Sequence, residues 1–144
     1  MKKLSPVREI ISGCLAVRVR ILARTVSAIY DQAMAGHGVT VAQVNLLVTL
    51  GEIGPCTPRK IGEVLQLERS TVSRNLDLLI KNGFVEAVSS DAKGIREIVL
   101  TAAGNAKIEA VLPDWRIAQK QAAQLLGPNG VGAVREASAT MFPF

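Results

Sequence analysis

The 144-residue sequence predicts a mainly α-helical fold with one small β-wing. Three observations lead there. Apolar residues make up 49% of the chain and aromatic residues only 3%, which favours packed helices over an aromatic-rich sheet protein. From Pro6 onward most of the chain carries apolar residues at helical spacing between identifiable caps. One stretch alone, residues 85–100, reads as two short strands about a turn.

Ser5-Pro6 opens the first helix, with a hydroxyl at the N-cap and proline at the first helical position. This helix is expected to run to about Met34 and to stop before Gly36-His37-Gly38. Its apolar residues cover more of the circumference than one buried stripe needs, so two contacts are expected of it. Thr40-Val41-Ala42-Gln43 fits a capping box and starts a second helix ending near Gly51, before the break at Gly54-Pro55. Thr57-Pro58 caps a short third helix through about Leu65. The fourth spans Arg69 to Lys81, where Asn82-Gly83 supplies a left-handed stop. Val85 to Ser89 and Ile95 to Leu100 form strands around Ser90-Asp91-Ala92-Lys93-Gly94. Thr101 caps a fifth helix, expected to bend at Pro113 and reach about Leu126. Gly127-Pro128-Asn129-Gly130 is expected to be a loop before a last helix from about Val131 to Met141.

The third and fourth helices with the hairpin make a helix-turn-helix followed by a wing. On the fourth helix Val72, Leu76, Leu79 and Ile80 share one arc and are predicted to face the core. Ser70, Arg74, Asp77 and Lys81 point the other way, with Thr71 and Leu78 on the shoulder. An arginine fork matches guanine O6 and N7, and small residues such as Ser70, Thr71 and Ser73 let a helix approach base edges. Arg59 and Lys60 near the start of the third helix are candidate phosphate contacts, as is Lys81. Lys93 and Arg96 are the basic residues of the wing. Gly62 stands where the two helices should cross closely. The same polar face would also suit a winged-helix module that binds a partner protein without binding DNA.

Charge does not decide between them. In residues 1–24, Lys2, Lys3, Arg8, Arg18, Arg20 and Arg24 face only Glu9. In residues 57–100 seven basic residues are nearly balanced by six acids, so the net +5 of the chain is no signature of the reading region. The composition excludes more than it names. Cys14, Cys56 and the lone His37 fit neither a disulfide framework nor a zinc site, so no metal or cofactor is expected. No apolar run approaches the ~20 residues of a membrane span, and the start lacks a secretion signal's apolar core. Cytoplasm is the expected compartment. Phosphate-loop, nucleophile-elbow and zinc-protease motifs are missing, so no enzymatic activity is expected.

The run R-S-T-V-S-R-N-L-D-L-L-I-K-N-G-F-V, residues 69–85, and the stretch I-V-L-T-A-A-G, residues 98–104, resemble the MarR family of winged helix-turn-helix regulators. The resemblance extends from about Cys14 to Met141. It implies a single domain in which residues 1–36 and 102–144 are dimerisation helices around a DNA-binding region at 40–101. It implies a homodimer on double-stranded DNA, more often a repressor than an activator, that releases a pseudo-palindromic operator on binding a small effector. The family's wing commonly reads Asp-x-Arg-x-x-Arg; here Asp91-Ala92-Lys93-Gly94-Ile95-Arg96 puts lysine first, keeping the charge but losing the flat fork. Asp91 is expected to orient Arg96. Apolar residues on the flanking helices (in the fifth alone Ile108, Val111, Leu112, Trp115, Ala118, Leu125 and Leu126) exceed what a core of about 60 residues covers, which also suggests a second subunit.

The family's effector sites, between the dimerisation helices and the winged region, direct attention to Arg18, His37, Trp115 and Arg116. None of these forms a motif, and His37 reads as a loop residue, Trp115 as core or interface. Some members sense organic peroxides through a first-helix cysteine near two tyrosines. Tyr30 aligns with one tyrosine, but Cys14 falls two residues early, about 200° around the helix, and Arg20 stands at the second tyrosine's place. An inert, buried thiol is the expectation for Cys14, with oxidant sensing as the alternative.

Overall fold

A computed structural model describes residues 5–89 and 93–144. In order the elements are α1 (Pro6–Gly13), α2 (Leu15–Met34), a 3-10 turn (Ala35–His37), α3 (Val41–Ile53), α4 (Pro58–Leu65), α5 (Arg69–Lys81), β1 (Val85–Ser89), β2 (Arg96–Leu100) and α6 (Ala102–Ser138).

Local chemistry sets most boundaries. Ser5, Thr40, Thr57 and Thr101 each accept a hydrogen bond from a first-turn amide. At α3 the capping box is reciprocal: Thr40 Oγ1 accepts from the Gln43 amide at 3.2 Å, and Gln43 Oε1 accepts from the Thr40 amide at 3.0 Å. Thr40→Ala is therefore expected to lower unfolding free energy by about 1 kcal/mol, read as an earlier midpoint in urea with an unchanged slope.

Several expectations need correction. The first helix is two helices, because Cys14 takes an extended conformation (φ −69°, ψ 109°). Just before it the Ser12 hydroxyl bonds back to the Arg8 carbonyl at 2.7 Å, and Gly13 adds freedom. Arg18 Nη2 then donates to the freed Ser12 carbonyl at 3.1 Å. The second helix passes through Gly51 and ends at Ile53, where Gly54 (φ 77°) turns the chain. Finally, residues 127–130 are not a loop. α6 carries helical dihedrals through Pro113 and breaks only at Gly127 (φ 68°, ψ 168°). Pro128 then opens the distal segment, where its missing amide costs nothing. The second strand starts one residue later than expected.

Two apolar clusters form. The larger joins Leu46, Leu47 and Leu50 of α3, Ile61 of α4, Val72, Leu76 and Leu79 of α5, and Val85 and Ile98 of the hairpin. β1 and β2 pair antiparallel from Val85↔Leu100 to Ser89↔Arg96. Cys56 adds a bridge to Ile98, with amide–carbonyl bonds of 3.3 and 2.8 Å, tying the hairpin to the chain just before α4. The smaller cluster, Met34, Val39, Val44 and Val111, joins α2, α3 and α6, and Phe84 packs against both. Of the fifth-helix residues expected to need a partner, Val111 and Ala118 are already buried, while Leu112, Trp115 and Leu125 remain exposed. α1 and the start of α2 bury no residue; Ile11 and Leu15 are 71% and 75% exposed. No single helix among the described residues is long and apolar enough to cross a membrane.

Candidate nucleic-acid interface

α4 and α5 are held at close approach by the turn between them. Gln66 takes a left-handed conformation (φ 51°), and the Leu67 amide returns to the Gly62 carbonyl at 2.9 Å. A Cβ on Gly62 would stand 3.1 Å from the Leu67 carbonyl oxygen and 3.4 Å from Val72 Cγ2, so the crossing needs a small residue there.

α5 is buried along Val72, Leu76 and Leu79, with Ile80 packed beside them. Its opposite side exposes Ser70, Ser73, Arg74, Asp77 and Lys81; Thr71 is half-buried. Glu68 is the N-cap and makes no side-chain capping bond, so Ser70 and Thr71 lie in the first turn and are not caps. Free amides there favour an anion such as phosphate. Asn75 is not free to read bases, since its Nδ2 donates to the Thr71 carbonyl at 2.9 Å.

Between α4, α5 and β2 lies a cleft of about 760 Å3, floored by Val72, Leu76, Ile80 and Ile98. Arg59, Ser73 and Arg96, singled out from sequence, share its rim with Asp77 and Arg69. Arg69 was missed by the sequence reading; a basic residue directly before Ser70 was the available signal. Arg59 Nε pairs with Glu63 Oε1 at 3.0 Å, one turn on, and both are too exposed for the pair to stabilise much. Lys60 and Lys93 are exposed, and Gly94 beside Lys93 takes φ 70°. The expected Asp91–Arg96 contact lies outside the described residues.

The four effector candidates do not gather. His37 Nε2 and Asp114 Oδ2 are 2.7 Å apart, joining the 3-10 turn to α6, and Lys107 Nζ donates to the His37 carbonyl at 3.0 Å. His37 is thus a half-buried joint, not a plain loop residue. Trp115 lies beside this joint, its ring 6.5 Å from that of Tyr30, whose hydroxyl bonds to Gln119. Burial pushes the Tyr30 phenol above its ordinary range. Arg116 is exposed, and Arg18 sits at the far end of α2 bound to Ser12. Sequence reasoning missed Lys107, Asp114 and Gln119 because their partners lie 70 or more residues away. Cys14 is half-buried at the α1–α2 break, not fully buried. Cys56 is buried, and burial, helped by Glu97 and opposed by Lys60, pushes its thiol up, which suits a structural role.

A family model for the MarR family matches residues 37–94. The uncharacterized HTH-type transcriptional regulator YwoH of Bacillus subtilis is 29% identical over 89 residues, covering 62% of this chain and 65% of that protein's length. The crystal structure of a probable transcriptional regulator from Pseudomonas aeruginosa is similar at 26% identity and a TM-score of 0.80, covering 92% of this chain and 99% of that one. A mutant MarR from E. coli complexed with operator DNA shares the fold at 19% identity and a TM-score of 0.79, with 94% and 98% covered. Together with the buried-inside, polar-outside α5 and the hairpin behind it, these likenesses show a winged helix-turn-helix fold similar to that of MarR-family transcriptional regulators, with residues 37–94 matching that family's model.

Proposed function

We propose that the chain is a sequence-specific DNA-binding regulator that grips a pseudo-palindromic operator as a homodimer and represses until a small effector releases it. The observation that carries this reading is α5: its buried stripe fixes the helix, and the opposite side presents Ser70, Ser73 and Arg74. One α5 enters each major groove, and Lys93 and Arg96 of the wing reach the adjoining minor groove. Lys60 and Lys81 neutralise phosphates at the flanks. Residues 40–101 are the reading unit, and residues 1–36 and 102–144 supply the dimer. The exposed apolar residues of α1, α2 and α6, such as Ile11, Leu15 and Leu125, support that second subunit. The DNA partner puts the site of action in the cytoplasm. The His37–Asp114 contact between the 3-10 turn and α6, with Trp115 beside it, supports these residues as the effector's point of action.

The test is titration of the protein against duplex DNA from upstream of its own gene and against random duplex, across a range of salt. Tighter binding to the upstream duplex, a steep fall with added salt and a dimer in sedimentation are expected. Equal, salt-insensitive or undetectable binding would reject the reading. Lys93→Ala is expected to weaken binding to both duplexes alike and to flatten the slope of log affinity against log salt by about one.

A further inference from the structure

The six residues that follow α6, 139–144, fold back against the winged region. Met141 and Phe142 amides turn back onto the Ser138 carbonyl, each at 2.9 Å, which aims the C-terminal segment at the outer face of α3. Gln66 Nε2 then donates to the Met141 carbonyl at 3.2 Å. The Phe142 and Phe144 rings stand edge to face, 5.5 Å between centroids and at 85°. With Val48 and Leu65 they make the apolar walls of an open cleft of about 440 Å3, whose remaining lining is Asn45, Thr49 and Glu52. This volume falls in the range of small-molecule sites.

The charges around the cleft select its occupant. Among the described residues no basic side chain lines it, and Glu52 is the one charged side chain in its lining. Glu52 makes no ion pair among the described residues, where the two pairs are His37–Asp114 and Arg59–Glu63. Phe142 and Phe144 are 52% and 54% exposed, so apolar area remains to be covered. Two perpendicular phenyl walls with a carboxylate opposite are suited to a cation with an apolar body, because ring faces and carboxylate both attract positive charge. An anion would meet Glu52 with nothing to offset the repulsion.

We propose that the cleft between the Phe142-Pro143-Phe144 segment and α3 is a binding site for an amphipathic organic cation. Gln66 ties the same segment to the left-handed turn between α4 and α5. An occupant that moves the segment therefore acts on the helix pair that reads DNA, a consequence that rests on the proposed function. The binding itself does not.

Calorimetry with tetraphenylphosphonium and tetraphenylborate, ions of one shape and opposite charge, tests the site without DNA. The wild-type chain is expected to bind one phosphonium per protomer, and Glu52→Gln and Phe144→Ala each to weaken it about tenfold. The borate is expected to give no heat that depends on Phe144. Absence of saturable phosphonium binding, an affinity unchanged in Glu52→Gln, or borate binding with the same dependence on Phe144 would each overturn the proposal. Because no duplex is present, these outcomes stand apart from failure of operator binding.

Discussion

Arg74→Ala is expected to weaken binding to the upstream duplex by about 1–3 kcal/mol and to narrow its margin over random DNA. The size follows from the chemistry of the fork. A guanidinium that donates twice to one guanine gains little from any other base, so its loss removes both energy and discrimination. Arg74 is exposed and opposite the buried stripe of Val72, Leu76 and Leu79. Its replacement should therefore leave the urea midpoint within the small range of surface substitutions, about 0.5 kcal/mol. Arg135→Ala, which removes the same charge from the last turn of α6, should change affinity slightly and selectivity not at all. Retention of both affinity and preference in Arg74→Ala would mean that α5 presents a different face.

Gly104→Ala is expected to destabilise the fold by about 2–3 kcal/mol, although alanine is the better helix former. A Cβ there would press into the Phe84 carbonyl oxygen and stand 2.6 Å from Leu100 Cδ1. The neighbourhood cannot easily give way. The Thr101 amide donates to the Phe84 carbonyl at 3.1 Å, and the Thr101 hydroxyl donates to the Gly83 carbonyl at 2.6 Å while accepting from the Gly104 amide at 3.1 Å. These bonds pin the first turn of α6 to the end of α5 and to the hairpin. Gly132→Ala is the matched control, since nothing lies within 4 Å of its Cβ. Freed of any clash, that substitution should stabilise by up to about 1 kcal/mol. Urea unfolding of the two variants should move in opposite directions; a shared direction would contradict the packing at Gly104.

Much of this was legible along the chain, for a physical reason. Helix caps, left-handed stops and apolar stripes are interactions within a few residues, so Thr40-x-x-Gln43, Thr57-Pro58, Asn82-Gly83 and the Val72–Leu76–Leu79 stripe each announced their element. The exposed face of α5, and with it the candidate reading residues, followed from the same periodicity. Where neighbouring signals competed, the reading failed. At Ser12-Gly13 a side-chain bond to the backbone ended a helix that the apolar pattern would have continued, and at Gly127-Pro128 a single glycine sufficed where a four-residue loop was expected.

What no local signal carries is which distant side chains meet. Composition and spacing determined a helical chain with a helix of polar outer face, a wing and surplus apolar surface. Only the tertiary structure decided that His37 meets Asp114, that Arg18 stands apart from both, that Cys56 bridges the wing and that the C-terminal phenylalanines close a cleft over α3. Such contacts come from how whole helices pack, and packing is fixed by the shape of the complete core rather than by any residue's own neighbours.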